Sequence, residues 1–228
     1  MYVDINNIIE EYKGKTVFEL RDILNESSTS NRVLYVNLSR KMLGQLNNKS
    51  NNRINIDKTS IIMKTVRIKA NGKLAQSMSF IPVDFDEWTE DKGFKESYLY
   101  NYFNNNYFAF FIFQEFTSEK IISEKNIVFK DIAIWKMEEY DLNHGLKDIW
   151  IYVRELIKNN KLIITQKKLS NGKYINKNNL PSSKFNYLGH LRPGAKDGKD
   201  IEVLPTGQKL VKQKFWFNKS YIEEIIGL

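Results

Sequence analysis

The chain contains no cysteine and only two histidines among its 228 residues. Disulfides and thiolate metal sites are therefore excluded, and a zinc cluster lacks its ligands. The opening MYVDINNIIEEYKGK has neither the basic start nor the apolar run of a signal peptide. The longest apolar runs, such as Tyr107–Phe113, are far too short to span a bilayer. A soluble, cytoplasmic chain with no membrane partner is the expectation. There is no internal repeat and no low-complexity linker, so a single domain over residues 1–228 is the simpler organisation. Acidic residues are scarce in one region. From Lys158 to Lys219 there are 14 lysines and arginines against three acids, a net of +11, which leaves about −3 for the remainder of a chain whose formal charge is +8. That asymmetry suggests a division into a core lobe, about 1–157, and a basic lobe, about 158–228. A basic third favours a polyanionic partner; the plainer reading is a solvated, lysine-rich surface.

What is present is enough for a core. Apolar residues make up 42% and aromatics 13%, which excludes a disordered chain. Ile5, Ile8, Ile9 and Tyr12 lie at helical spacing, predicting a helix over Tyr2–Lys13. Thr16-x-x-Glu19 has the spacing of a capping box and predicts a second helix over Thr16–Leu24. Val33–Leu46 reads as strand or helix leading into a helix near Leu38–Leu46, followed by a loop over Asn47–Arg53. Ser60–Lys69 is rich in β-branched residues, Asn71-Gly72 is a tight-turn dipeptide, and Lys73–Phe80 alternates, so the three read as a β-hairpin. Asp84–Trp88 and Thr89–Phe94 read as an acidic, turn-rich connection, and Glu96–Phe103 as a short helix. Tyr107–Phe116 is apolar without alternation and predicts a buried central strand rather than a base-stacking platform. Ile127–Trp135 predicts another strand and His144–Asn159 an amphipathic helix. The basic third reads as Lys161–Leu169 closed by Asn171-Gly172, then strand Tyr187–Arg192, the loop PGAKDGKD, strand Gln208–Phe217 and helix Lys219–Ile226, which Asn218 to Ser220 could cap.

The hairpin region carries a further pattern. Lys64-Thr65 is preceded by Ile62 and, nine residues before the lysine, by Asn55. The stretch resembles the MutH family and its relatives, the GATC-cutting restriction endonucleases of the Sau-three-A type, where D-x6-E-x-K-T precedes an NG-like turn and a returning strand. Here it reads N-x6-I-x-K-T. Downstream, Leu191-Arg192-Pro193 with Ala195 and Asp197, followed by Gln208–Phe215, is similar to the family's DNA-reading loop and strand, and Gly14–Leu24 to its early helix. The resemblance runs over about residues 10 to 226. It implies an α/β (α+β), restriction-endonuclease-like fold, with a mixed central sheet flanked by helices and a DNA-binding cleft.

In that family the two carboxylates hold Mg²⁺ against the scissile phosphate, and the lysine steadies the attacking water or the developing charge. Isoleucine ligates nothing and asparagine offers one neutral oxygen, so Asn55, Ile62 and Lys64 read as a degenerate catalytic site. The resemblance thus implies no cofactor for this domain, with Mg²⁺ reserved for a parent catalytic domain. Lost anions also repel the phosphate backbone less, since unit charges about 4 Å apart interact by roughly 1 kcal/mol in water and more near a protein surface.

For DNA binding the candidates are Arg192, Lys196, Lys199, Lys209, Lys212, Lys214, Lys64 and Thr65. The family position matching Arg192 reads bases, and an arginine fork can pair with guanine O6 and N7; a phosphate clamp or a surface salt bridge to Asp197 or Asp200 are the alternatives. Lys196 and Lys199 read as phosphate contacts or solvated residues. Alternation puts Lys212 and Lys214 on one strand face and Lys209 on the other. A family tyrosine falls at Leu210, which marks either a register slip or a lost base contact. Phe215, Trp216 and Phe217 read as interior packing. His190 and His144 read as structural, and Asp84, Asp86 and Glu87 are the one acidic cluster near the hairpin. The combined expectation is a catalytically inactive, C-terminal effector domain of a type II restriction endonuclease, binding GATC-containing duplex DNA beside an N-terminal catalytic domain. The alternatives are an active Mg²⁺-dependent endonuclease with displaced acids and a non-specific nucleic-acid-binding module.

Overall fold

A computed structural model describes residues 5–44, 53–56, 59–119, 121–168, 170, 174–194 and 200–228. The fold is α+β, with helices and a sheet that mixes parallel and antiparallel pairs. It divides into two compact units, one formed by Met1–Gln76, Asn106–Lys136 and Glu223–Leu228, the other by Ser77–Asn105 and Met137–Ile222. The compositional boundary at residues 157/158 falls inside the second of these.

The first unit holds α1 (Ile5–Tyr12), α2 (Val17–Ile23) and α3 (Asn31–Met42), with strands β1 (Arg53–Ile56), β2 (Thr59–Ile68), β4 (Tyr107–Glu115) and β5 (Ile127–Trp135) in the order β1-β2-β4-β5. The β2–β4 pair is parallel and the outer pairs antiparallel. Helix α2 starts as its sequence signature requires: Thr16 accepts from the Glu19 N–H, and the Glu19 carboxylate accepts from the Thr16 N–H at 2.7 Å. Alternation puts Ile61, Met63, Ala109, Phe111 and Phe113 on one sheet face, where they pack with Leu20, Leu34, Leu38 and Phe129. Strand β4 is buried from Phe108 to Phe113, which suits a strand paired on both edges.

The second unit holds β3 (Met78–Pro82), α4 (Phe85–Thr89), α5 (Tyr98–Asn104), α6 (Glu139–Asp141) continued by a π-turn over Leu142–Leu146 into α7 (Lys147–Lys158), and β6 (Ile164–Lys168) paired with β7 (Tyr174–Asn178). It ends with β8 (Gly189–Pro193), β9 (Ile201–Val203), β10 (Lys209–Val211), β11 (Gln213–Phe217) and the start of α8 (Lys219–Ile225). Its antiparallel sheet runs β3-β11-β8. One face of that sheet carries an aromatic cluster in which Phe103 lies 5.4 Å from Phe80, 5.5 Å from Phe215 and 5.1 Å from Phe217, ring centroid to ring centroid. Burying each such ring contributes roughly 1.5–3 kcal/mol.

Several expectations need correction. The hairpin forms only its turn: Gly72 adopts φ 79°, the Lys69 N–H donates to Lys73 O, and a single bridge joins Ile68 to Leu74. The returning strand leaves β2 and pairs with β11 instead, because its partner is chosen by non-local burial rather than by the turn. The hairpin partner of β2 is β1, so Asn55 lies within a strand, opposite Ser60. Val33–Leu46 contributes one helix, α3, with residues 45 and 46 outside the described ones. The acidic connection contains α4, whose N-cap Asp84 accepts from the Glu87 N–H. The single strand over Gln208–Phe217 is two, broken at Lys212.

Candidate nucleic-acid interface

Strand β11, QKFWF, alternates between buried and half-exposed residues, so each neighbour pair splits between two faces. Its register with β8 sets Lys214 opposite Arg192, Phe215 opposite Leu191 and Trp216 opposite His190. The inner face is therefore Leu191, Phe215 and Phe217, and the outer face is His190, Arg192, Lys214 and Trp216. The Arg192 guanidinium lies over the Trp216 ring, 4.7 Å from its centroid, and the Trp216 indole N–H donates to the Arg192 carbonyl at 3.3 Å. Trp216 thus belongs to the surface rather than to the interior, while Phe215 and Phe217 are fully buried. Among the described residues neither Arg192 nor Lys214 forms an ion pair; Asp200, one expected partner of Arg192, pairs with Lys212 at 2.7 Å. Like charges directly opposite each other in a sheet destabilise it. An anion laid across the pair would relieve that repulsion.

Two features aim these cations. Gly194 follows β8, and a Cβ built there would overlap Lys214 Cγ and Cδ and sit 2.8 Å from its Cβ, so only a glycine leaves room for the lysine stem. Beside Arg192 is an open pocket of about 420 Å³ lined by Ser77, Ser183, His190, Arg192, Asn218, Lys219 and Ser220. His190 is 8% exposed, and its Nδ1 lies 2.7 Å from Asn218 Oδ1. The Asn218 amide is held by donating to the carbonyls of Ser183, Asn186 and Tyr187 at 3.2, 2.8 and 3.1 Å. Burial first, and then the positive charge of Arg192, hold the imidazole below its ordinary pKa, against the opposing effect of Asn218. This arrangement was not legible in the sequence, where His190 and Asn218 stand far apart and neither belongs to a motif.

The other candidates separate. Lys212 is exposed but already paired, and Lys209 is exposed on β10. Leu210 is 1% exposed, so position 210 offers no surface to a base. Lys196 and Lys199 lie outside the described residues. In the first unit, Ile62 and Lys64 share one face of β2, with Ile62 buried and Lys64 half-exposed. The immediate strand neighbours of Lys64 on that face are Ile62, Val66 and, across the pair, Phe110. Thr65 turns to the opposite, helix-packed face with Met63 and Phe111, so the Lys-Thr pair does not act as one patch. The backbone of Asn55 is in β1, and its side chain lies outside the described ones. A Mg²⁺ site does not fit this strand: the position an acid would take is buried hydrocarbon, and the next residue on the face is a cation. Among the described residues no group of three or more metal-ligating side chains comes together. The acids after β3 have structural partners: Asp84 caps α4, and Glu87 accepts from the Tyr98 N–H and pairs with Lys92. His144 has its Nδ1 at the Tyr140 carbonyl, one turn back. No helix among the described residues is long and apolar enough to cross a membrane.

No family model matches the chain. Comparison with characterised proteins finds a distant, restriction-enzyme-like relationship. The chain is similar to the type II restriction enzyme Sau3AI of Staphylococcus aureus, 25% identical over 194 residues, covering 74% of this chain. The match covers 38% of that enzyme's length.

Proposed function

We propose that this chain binds duplex DNA containing GATC through the outer face of the β3-β11-β8 sheet, and that it does so as a non-cleaving effector domain of a type II restriction endonuclease. The observation that carries the reading is the opposed pair Arg192 and Lys214, two cations without acid partners among the described residues, one stacked on an aromatic ring. Arg192 supplies a planar fork suited to guanine O6 and N7, and Lys214 a point charge suited to a phosphate. The relationship to a restriction enzyme supports DNA as the polyanion, and buried Ile62 beside Lys64 supports binding without cleavage. Occupancy here would favour the active arrangement of a separate, Mg²⁺-dependent catalytic domain, a coupling of about 1–3 kcal/mol, or roughly 5- to 150-fold.

The test is a binding isotherm on GATC and scrambled duplexes with the wild type and Arg192→Ala. Loss of one bidentate base contact is expected to weaken GATC binding by about 1–3 kcal/mol and to leave scrambled binding nearly unchanged. Equal loss on both duplexes would make Arg192 a phosphate clamp. Nicking of GATC plasmid with Mg²⁺ that disappears in Lys64→Ala would replace the effector reading by an active nuclease.

A further inference from the structure

The pocket beside Arg192 contains one group that the reading above leaves unused. Asn218 presents its amide oxygen to His190, because its nitrogen is committed to three carbonyls. Only an acceptor faces Nδ1, so Nδ1 carries the proton and donates to Asn218 Oδ1. The neutral ring then leaves Nε2 as a lone-pair acceptor, and among the described residues no donor reaches it. His190 is a polar side chain more than nine-tenths buried that lines an open pocket, with its tautomer set from behind. A phosphate brings only acceptors and would meet this lone pair unfavourably. A ligand complementary to it must bring a hydrogen-bond donor.

In the major groove the base edges that present donors are adenine N6 and cytosine N4. We infer that His190 Nε2 accepts a hydrogen bond from the exocyclic amino group of a nucleobase, so that His190 is a specificity-determining residue beside Arg192. This rests on the proposed binding of duplex DNA by this sheet face. His190 and Arg192 are two residues apart on β8, about 6.6 Å along the strand, close to two base-pair steps at about 3.4 Å each. One strand would thus offer an arginine to a guanine and an acceptor to an amine within the same short site.

The experiment uses the full chain and three GATC duplexes: the parent, one with purine in place of adenine, and one with pyrimidin-2-one in place of cytosine, each substitute lacking only the amino group. An unsatisfied buried acceptor is expected to weaken wild-type binding to one substituted duplex by roughly 5- to 150-fold. His190→Asn keeps a nitrogen near the Nδ1 position, and hence the bond to Asn218, but removes Nε2; the penalty is expected to vanish in this variant. Wild-type affinities that are the same for all three duplexes would overturn the inference, and this measurement requires no variant to fold. A penalty that persists in His190→Asn, or a uniform loss on all three duplexes in that variant, would overturn it as well. A wild type that binds GATC and scrambled duplexes alike would instead fail the proposed function, and this inference with it.

Discussion

Gly194→Ala tests whether the interface is built as described, independently of any ligand. The added methyl would overlap Cγ and Cδ of Lys214 and lie 2.8 Å from its Cβ, where carbon contacts settle near 3.5–4.0 Å. The backbone has little freedom to retreat, because the Gly194 N–H donates to Lys212 O at 3.1 Å. Lys214 must therefore leave its rotamer, which costs about 0.5–1.5 kcal/mol, within the roughly 1–3 kcal/mol usual for overpacking. In urea, with a slope near 3 kcal/mol/M, a loss of about 1.5 kcal/mol moves the unfolding midpoint down by roughly 0.5 M. The control is the double variant. Lys214→Ala removes Cγ and Cδ, the atoms of the two shortest contacts, so Gly194→Ala should cost less than about half as much in that background. Equal costs in both backgrounds would refute the packing of the lysine stem on Gly194 and, with it, the aim of the cation.

Three further outcomes follow from the same structure. Lys214→Ala is expected to lower the salt slope of DNA binding by about 0.9, the share of one phosphate, whereas Lys212→Ala should change it less because Asp200 already neutralises that lysine; titrations between 50 and 200 mM salt compare them, and equal slopes for the two variants would contradict the assignment. Burial alone would raise the pKa of Glu26, but hydrogen bonds from Ser28, Lys41 and Asn37 outweigh it and bring the group to about 2. Its folded pKa is thus depressed, so its stabilisation is present above the ordinary value of 4.5 and is lost as pH falls from there toward about 2; the wild-type denaturation midpoint should decline over that window more steeply than that of Glu26→Gln. Thr16→Ala breaks the capping box of α2 and should cost about 0.5–2 kcal/mol in a denaturation titration, with no change in DNA affinity.

What could be read from the sequence was local. Thr16-x-x-Glu19 announces its helix because the capping bonds lie within four residues, and Phe108–Phe113 announces a doubly paired strand by its unbroken apolar run. The Asn71-Gly72 turn was legible for the same reason, but the destination of the chain after it was not. Met78–Pro82 pairs with β11, more than 130 residues away, and no turn signal encodes that choice. The candidate site follows the same division. Arg192 and the basic third stand out by motif and charge, whereas the facing of Arg192 and Lys214 is a matter of register between β8 and β11. Alternation along Lys209–Phe217 could not reveal that the strand breaks at Lys212, nor that Trp216 turns outward beneath an arginine. The acceptor on His190 required a partner 28 residues away in the chain.

The most direct measurement of the central claim is the affinity of the chain for a GATC duplex relative to a scrambled duplex of the same length, by gel shift at 150 mM salt without divalent metal. GATC is expected to be bound about 10³-fold more tightly, or better, with both duplexes intact after added Mg²⁺. Equal affinities, or cleavage by this chain alone, would contradict it.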